Sequence, residues 1–148
     1  MRNKRGIFAL LLLFMILLAA GCASSTAPTV EIGGEVLPSL YSVVGEKKIT
    51  GTSKSISTGL AEVELTYQGV SIDELNSYIE SLISDGYLVT QEASATGSGQ
   101  GYQIGKEAST EGNIILISFY FEDGGSTVIN YAVGAGTITP ETLSLIHI

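Results

Sequence analysis

Carboxylates are the plentiful reactive groups of this chain, with 15 Asp and Glu against one Cys and one His. Three pairs have useful spacing. Glu62 and Glu64 share one face of a strand pattern, Asp73 and Glu74 open a helical pattern, and Glu122 and Asp123 lie in a turn. Two carboxylates held about 5–10 Å apart can hydrolyse a glycoside, and carboxylate oxygens can hold Ca²⁺. No EF-hand-like ladder of Asp and Asn accompanies them. The plainer reading is preferred: Asp73 and Glu74 serve a helix start, and the glutamates solvate a sheet face.

The remaining chemistry fails residue by residue. A Ser or Cys nucleophile needs a neighbouring base, commonly imidazole, and the one histidine is His147, near the end of the chain. Lysine can replace it in a Ser-x-x-Lys spacing, but the residues three before Lys47, Lys48, Lys54 and Lys106 are Val44, Gly45, Gly51 and Gln103. Zinc wants His and Cys. Gly97-Ser98-Gly99-Gln100-Gly101 with Gly105-Lys106 resembles a phosphate loop, yet Gln100 stands where the first glycine belongs and Glu107 where Ser or Thr belongs. Ser94 to Gly101 reads as a hairpin loop. Of the seven tyrosines, Tyr67, Tyr78, Tyr87, Tyr120 and Tyr131 fall in core patterns. Tyr102, among glycines, is the one expected at the surface. No catalytic residue, metal ligand or cofactor-binding residue is assigned.

The one cysteine has a different context. Arg2, Lys4 and Arg5 precede an uncharged, mostly apolar run from Gly6 to Ala20, followed by Gly21 and Cys22. That run is shorter than the roughly 20 residues a membrane-spanning helix needs and suits a cleaved export signal. Leu18-Ala19-Ala20-Gly21-Cys22 resembles the lipobox of bacterial lipoproteins, with Ala19 where that family most often has Leu. The resemblance implies cleavage between Gly21 and Cys22 and a diacylglyceryl lipid on the Cys22 thiol. It also implies an extracytoplasmic domain anchored to the outer leaflet of the cell membrane, or to the outer membrane in a Gram-negative source. Two acyl chains suffice for stable anchoring. The body has the general look of small Gram-positive surface lipoproteins, a likeness that transfers no active site.

Residues 1–21 are thus expected to be a signal peptide, and 22–30 the lipidated Cys and a short tether. Residues 31–139 form one domain, and 140–148 a tail. Leu143-Ser144-Leu145-Ile146-His147-Ile148 resembles the translation of a transposase mosaic-end sequencing adapter, so 143–148 are expected to be foreign to the natural chain. Without Arg2, Lys4 and Arg5, four lysines face 15 acids and the side chains sum to −11. Such a body repels nucleic acid and anionic headgroups.

One helix must organise the rest. Ser71-Ile72-Asp73-Glu74 is a capping box, Val70 and Leu75 can form the hydrophobic staple, and Gly86 suits the left-handed position after the helix. Ile72, Leu75, Ile79, Leu82 and Ile83 predict its buried face, with Tyr78 at the margin. Strands are predicted at Lys48–Ser57, Ala61–Tyr67, Tyr87–Ala93, Gly101–Glu107, Asn113–Phe121 and Ser126–Val133, with turns at Thr58-Gly59 and Glu122–Gly125. The order β-β-α-β-β-β-β predicts an α+β two-layer sandwich, a mainly antiparallel sheet with one helix on one face. Glu31 to Gly45 reads as an irregular or briefly helical cover for the rest of the sheet. Its apolar cluster is Val36, Leu37, Leu40, Tyr41, Val43 and Val44.

The function expected is that of a non-catalytic, membrane-anchored binding or interaction module. Its partner is an envelope protein or a small solute, not a nucleic acid. The alternative is a solute- or ion-binding accessory of an envelope transporter or sensor, and a carboxylate-dependent hydrolase ranks third.

Overall fold

The computed structural model describes residues 28–138. The lipobox residues Gly21 and Cys22, and His147 with the rest of 139–148, lie outside these residues. Eight strands and two helices follow in order. They are β1 (Thr29–Ile32), β2 (Glu35–Pro38), α1 (Tyr41–Val44), β3 (Lys48–Ser57), β4 (Leu60–Gln68), α2 (Ile72–Ser84), β5 (Leu88–Thr96), β6 (Gly99–Glu107), β7 (Asn113–Phe121) and β8 (Ser126–Ala135). Six strands form one sheet in the order β3-β4-β8-β7-β6-β5, and β1 with β2 forms a separate hairpin. Every pairing is antiparallel. Strands dominate the described residues, and α2 is the one long helix among them. It links β4 to β5, which have three strands between them in the sheet.

Alternation along the strands builds the core. One row across the sheet reads Leu65, Ile129, Phe119, Tyr102 and the next Val63, Tyr131, Ile117, Ile104, Val89. Most of these side chains are buried, because successive residues of a strand point to opposite faces and these share one. Leu75, Tyr78 and Leu82 of α2 join the same cluster. So do Val30, Ile32, Leu37 and Leu40 from the N-terminal segment.

The ends of α2 are built as its sequence predicts. The Glu74 backbone N–H donates to Ser71 Oγ at 3.2 Å, and the Ser71 N–H donates to Glu74 Oε2 at 3.0 Å. Lys47 Nζ lies 2.7 Å from Glu74 Oε1 and also donates to the Gly69 carbonyl. The Lys47 ammonium and the Ser71 N–H together hold the Glu74 carboxyl below its usual range. At the other end Gly86 has φ 94°, its N–H donates to Ile83 O, and the Tyr87 N–H donates to Leu82 O. This is a Schellman stop, with Tyr87 buried beside Leu82.

Three expectations need correction. Glu31 to Gly45 is briefly helical at Tyr41–Val44 as expected, but the part before it is not irregular: Gly33 and Gly34, at φ 56° and 85°, make a two-residue hairpin turn between β1 and β2. A Cβ on Gly33 would stand 2.9 Å from Val133 Cβ, so the turn sits tight against β8. Thr29 and Val30, assigned above to the tether, belong to β1, and Val30 is buried. In the apolar cluster only Leu37 and Leu40 are buried, whereas Val36, Tyr41 and Val43 are exposed.

The second correction concerns Ser94 to Gly101. The ladder runs through it, with Ser94↔Gly101, Ala95↔Gln100 and Thr96↔Gly99 paired around a Gly97-Ser98 turn. Gly99 marks a close approach rather than looseness, since a Cβ there would meet Phe121 O at 2.4 Å and the Tyr120 ring at 2.7 Å. The third concerns α2. Its buried stripe is Leu75, Tyr78 and Leu82, with Tyr78 fully covered, while Ile72 and Ile83 are 41% and 40% exposed. At 3.6 residues per turn this stripe lies roughly 60° round the helix from the face predicted.

Candidate functional site

Displacing the buried stripe leaves α2 with a second apolar stripe. Ile72, Ile79 and Ile83 centre roughly 90° from Leu75, Tyr78 and Leu82 around the axis. They form one wall of a cleft of about 310 Å³, whose other wall is Tyr102, Phe119 and Phe121 from β6 and β7. Ala93 of the edge strand β5 closes one side, and Asn76, Glu80 and Gln100 supply polar atoms. Apolar surface dominates the lining. An apolar cavity of roughly 150 Å³ is enough to take benzene, so this volume suits a ring with a short chain, at the small end of ligand sites.

The cleft exists because β5 curls. Its pairing with β6 slips between Val89 and Gln91 and again between Gln91 and Ser94. Such bulges bend and twist a strand, and only Val89 of β5 is packed against the core. The floor is rigid by contrast. Phe119 is buried, with its ring edge-on to Tyr78 at 6.0 Å and tilted against Tyr102 at 6.3 Å. Burial raises the Tyr102 hydroxyl pKa, and the nearby Glu92 carboxylate adds to the shift.

The opposite side of α2 is closed by a tyrosine network. Tyr78 Oη donates to the Pro38 carbonyl at 2.7 Å and lies 2.9 Å from Tyr131 Oη. Burial pushes Tyr67 up to about 12 and drives Tyr78 and Tyr131 higher still. Burial keeps these phenols neutral, and Tyr78 needs its proton to donate to Pro38. A larger, more polar recess of about 480 Å³ adjoins Glu35, Asp85, Tyr87, Lys106 and Ser109. Two of its charged groups, Glu35 and Lys106, are already engaged. Glu35 Oε1 accepts from the Ser109 N–H at 2.7 Å and from its hydroxyl, and Lys106 Nζ donates to the Asp85 carbonyl at 2.9 Å. These contacts pin the β1–β2 hairpin to the β6–β7 connection and the end of α2 to β6.

The carboxylate pairs do not converge. Glu62 and Glu64 stand on β4 in register with Ala132 and Asn130, on the face opposite the core row. Glu122 and Asp123 occupy the β7–β8 turn, and Glu74 is committed to the helix cap. Among the described residues no group of three or more His, Cys, Asp and Glu is placed to hold a metal ion. Tyr67, Tyr78, Tyr87 and Tyr131 are buried, Tyr120 is half-buried, and Tyr41 is more exposed than Tyr102. Tyr102 nevertheless lines the cleft. Ile72, Ile79 and Ile83 were visible in the sequence as helix-face residues but not as the wall of a cleft. The surplus of apolar positions on one short helix was the available signal. No family model, no curated protein and no solved structure matches this chain.

Proposed function

We propose that the protein is an extracytoplasmic lipoprotein, anchored through Cys22, that works as a non-catalytic binding module with the α2–β6–β7 cleft as its ligand site. The layering behind this reading is an α+β sandwich in which α2 and the β1–β2 hairpin cover one face of the sheet. The observation that carries the site is the exposure of Ile72 and Ile83 beside a wall of aromatic rings. Exposed apolar surface gathered into a concavity is a common mark of a ligand site. The small volume favours a small solute over a flat protein face, and so brings the accessory of an envelope transporter or sensor into the same reading.

Two experiments test the two halves. Cys22→Ala should abolish labelling by radioactive fatty acid and leave precursor or shed protein. Unchanged membrane attachment would overturn the anchor. Ala93→Trp should fill the cleft, and short six-carbon probes seen by saturation-transfer NMR on the full chain should lose binding. Binding that persists in that variant, or no binding to the native chain, would overturn the site.

A further inference from the structure

The surroundings of the cleft carry charge of one sign. Glu80 lines it, and Glu92 precedes Ala93 and acts on Tyr102. The four lysines among the described residues are all elsewhere. Lys48 and Lys54 lie on β3, at the far edge of the sheet from β5. Lys47 is bound to Glu74 and the Gly69 carbonyl, and Lys106 to the Asp85 carbonyl. An anionic head at this mouth would meet the Glu80 carboxylate, with Glu92 acting on the adjoining Tyr102, and no counter-charge. A cationic head would meet the Glu80 carboxylate, the amide groups of Asn76 and Gln100, and the ring of Tyr102.

Resting on the cleft as ligand site, we propose that it takes a small cationic amphiphile, with the apolar body against Ile72, Ile79 and Phe119 and an ammonium group at Glu80. Desolvating a charge is costly, so the head stays at the wet mouth while the body enters the cleft. The apolar walls supply most of the affinity. The carboxylates set the preference among heads, because exposed charge pairs contribute modestly.

The test compares hexylammonium, hexan-1-ol and hexanoate on the full chain at neutral pH and low salt, by saturation-transfer NMR. The expected order is ammonium, alcohol, carboxylate, with the ammonium about threefold tighter than the alcohol. The double variant Glu80→Gln with Glu92→Gln, both at exposed positions, should bring the ammonium down to the alcohol. High salt should do the same in the native chain. Ala93→Trp should abolish binding of all three. Hexanoate binding as well as hexylammonium, or an ammonium preference that survives the double variant, overturns the cationic class while leaving the cleft as a site. No binding by any probe, or binding indifferent to Ala93→Trp, overturns the cleft reading itself.

Discussion

The two flanks of α2 present similar chemistry and meet opposite fates. On one flank Leu75, Tyr78 and Leu82 are buried, and Tyr78 is tied to Pro38 O and to Tyr131. On the other, Ile72, Ile79 and Ile83 are as apolar or more so, yet Ile72 and Ile83 face solvent across the cleft. Hydrophobicity therefore does not decide which flank closes. Neighbours do. The closed flank is met by a hairpin that brings a carbonyl for the tyrosine to bond, while the open flank is met by a bulged edge strand that curls away. Closure is stability and openness is a site.

Mutation should separate the flanks sharply. Tyr78→Ala should cost on the order of 3–5 kcal/mol, and Leu75→Ala or Leu82→Ala about 2–4 kcal/mol, in denaturant melts. Equal losses at Ile72→Ala or Ile83→Ala would break the contrast, since these exposed positions should stay within about 0.5 kcal/mol. Tyr78→Phe sharpens it further. It keeps the ring against Phe119 but strands the Pro38 carbonyl, so a loss of roughly 1–3 kcal/mol is expected from the unpaired group alone. An unchanged midpoint would mean that water takes the place of the hydroxyl and that the closed flank is wetter than its burial indicates.

Ser71→Ala should cost about 1 kcal/mol through the lost cap, with both flanks affected alike because the cap serves the whole helix. The smallest expected effect concerns the hairpin that closes the first flank. Hydrogen bonds from the Ser109 hydroxyl hold the Glu35 carboxyl below its ordinary range. A carboxylate with a depressed native pKa stabilises the fold at pH above its unfolded value, and that contribution fades as pH falls through the native one. Glu35→Gln should therefore lower the denaturant midpoint slightly at pH 6–7, and the gap from native should close toward pH 3. A gap that persists in acid would show that the Glu35 contact acts through packing rather than charge.

Much of this protein is legible in residue order. The capping box at Ser71 and Glu74, the Gly86 stop, the strand alternation from Ala61 to Tyr67 and from Asn113 to Phe121, and the Glu122–Gly125 turn are local signals, each complete within a few residues. The β1–β2 hairpin was equally local, since Gly33-Gly34 between short alternating runs is a recognised turn signal. Each run holds only four residues, too few for the alternation to stand out. The cleft was legible only in its parts.

Sequence by itself determined where the helix and the sheet strands form and which strand faces are apolar, because capping and alternation are satisfied by near neighbours. The tertiary structure alone decided which of the two apolar stripes of α2 is core. Helical period tells how residues are spaced around an axis, not how that axis is rolled against a sheet. The roll is set by partners far along the chain: Pro38 and Tyr131, 40 and 53 residues from Tyr78, fix it through one hydroxyl. The other stripe faces the cleft beside the bulged strand β5, with Ile72 and Ile83 exposed.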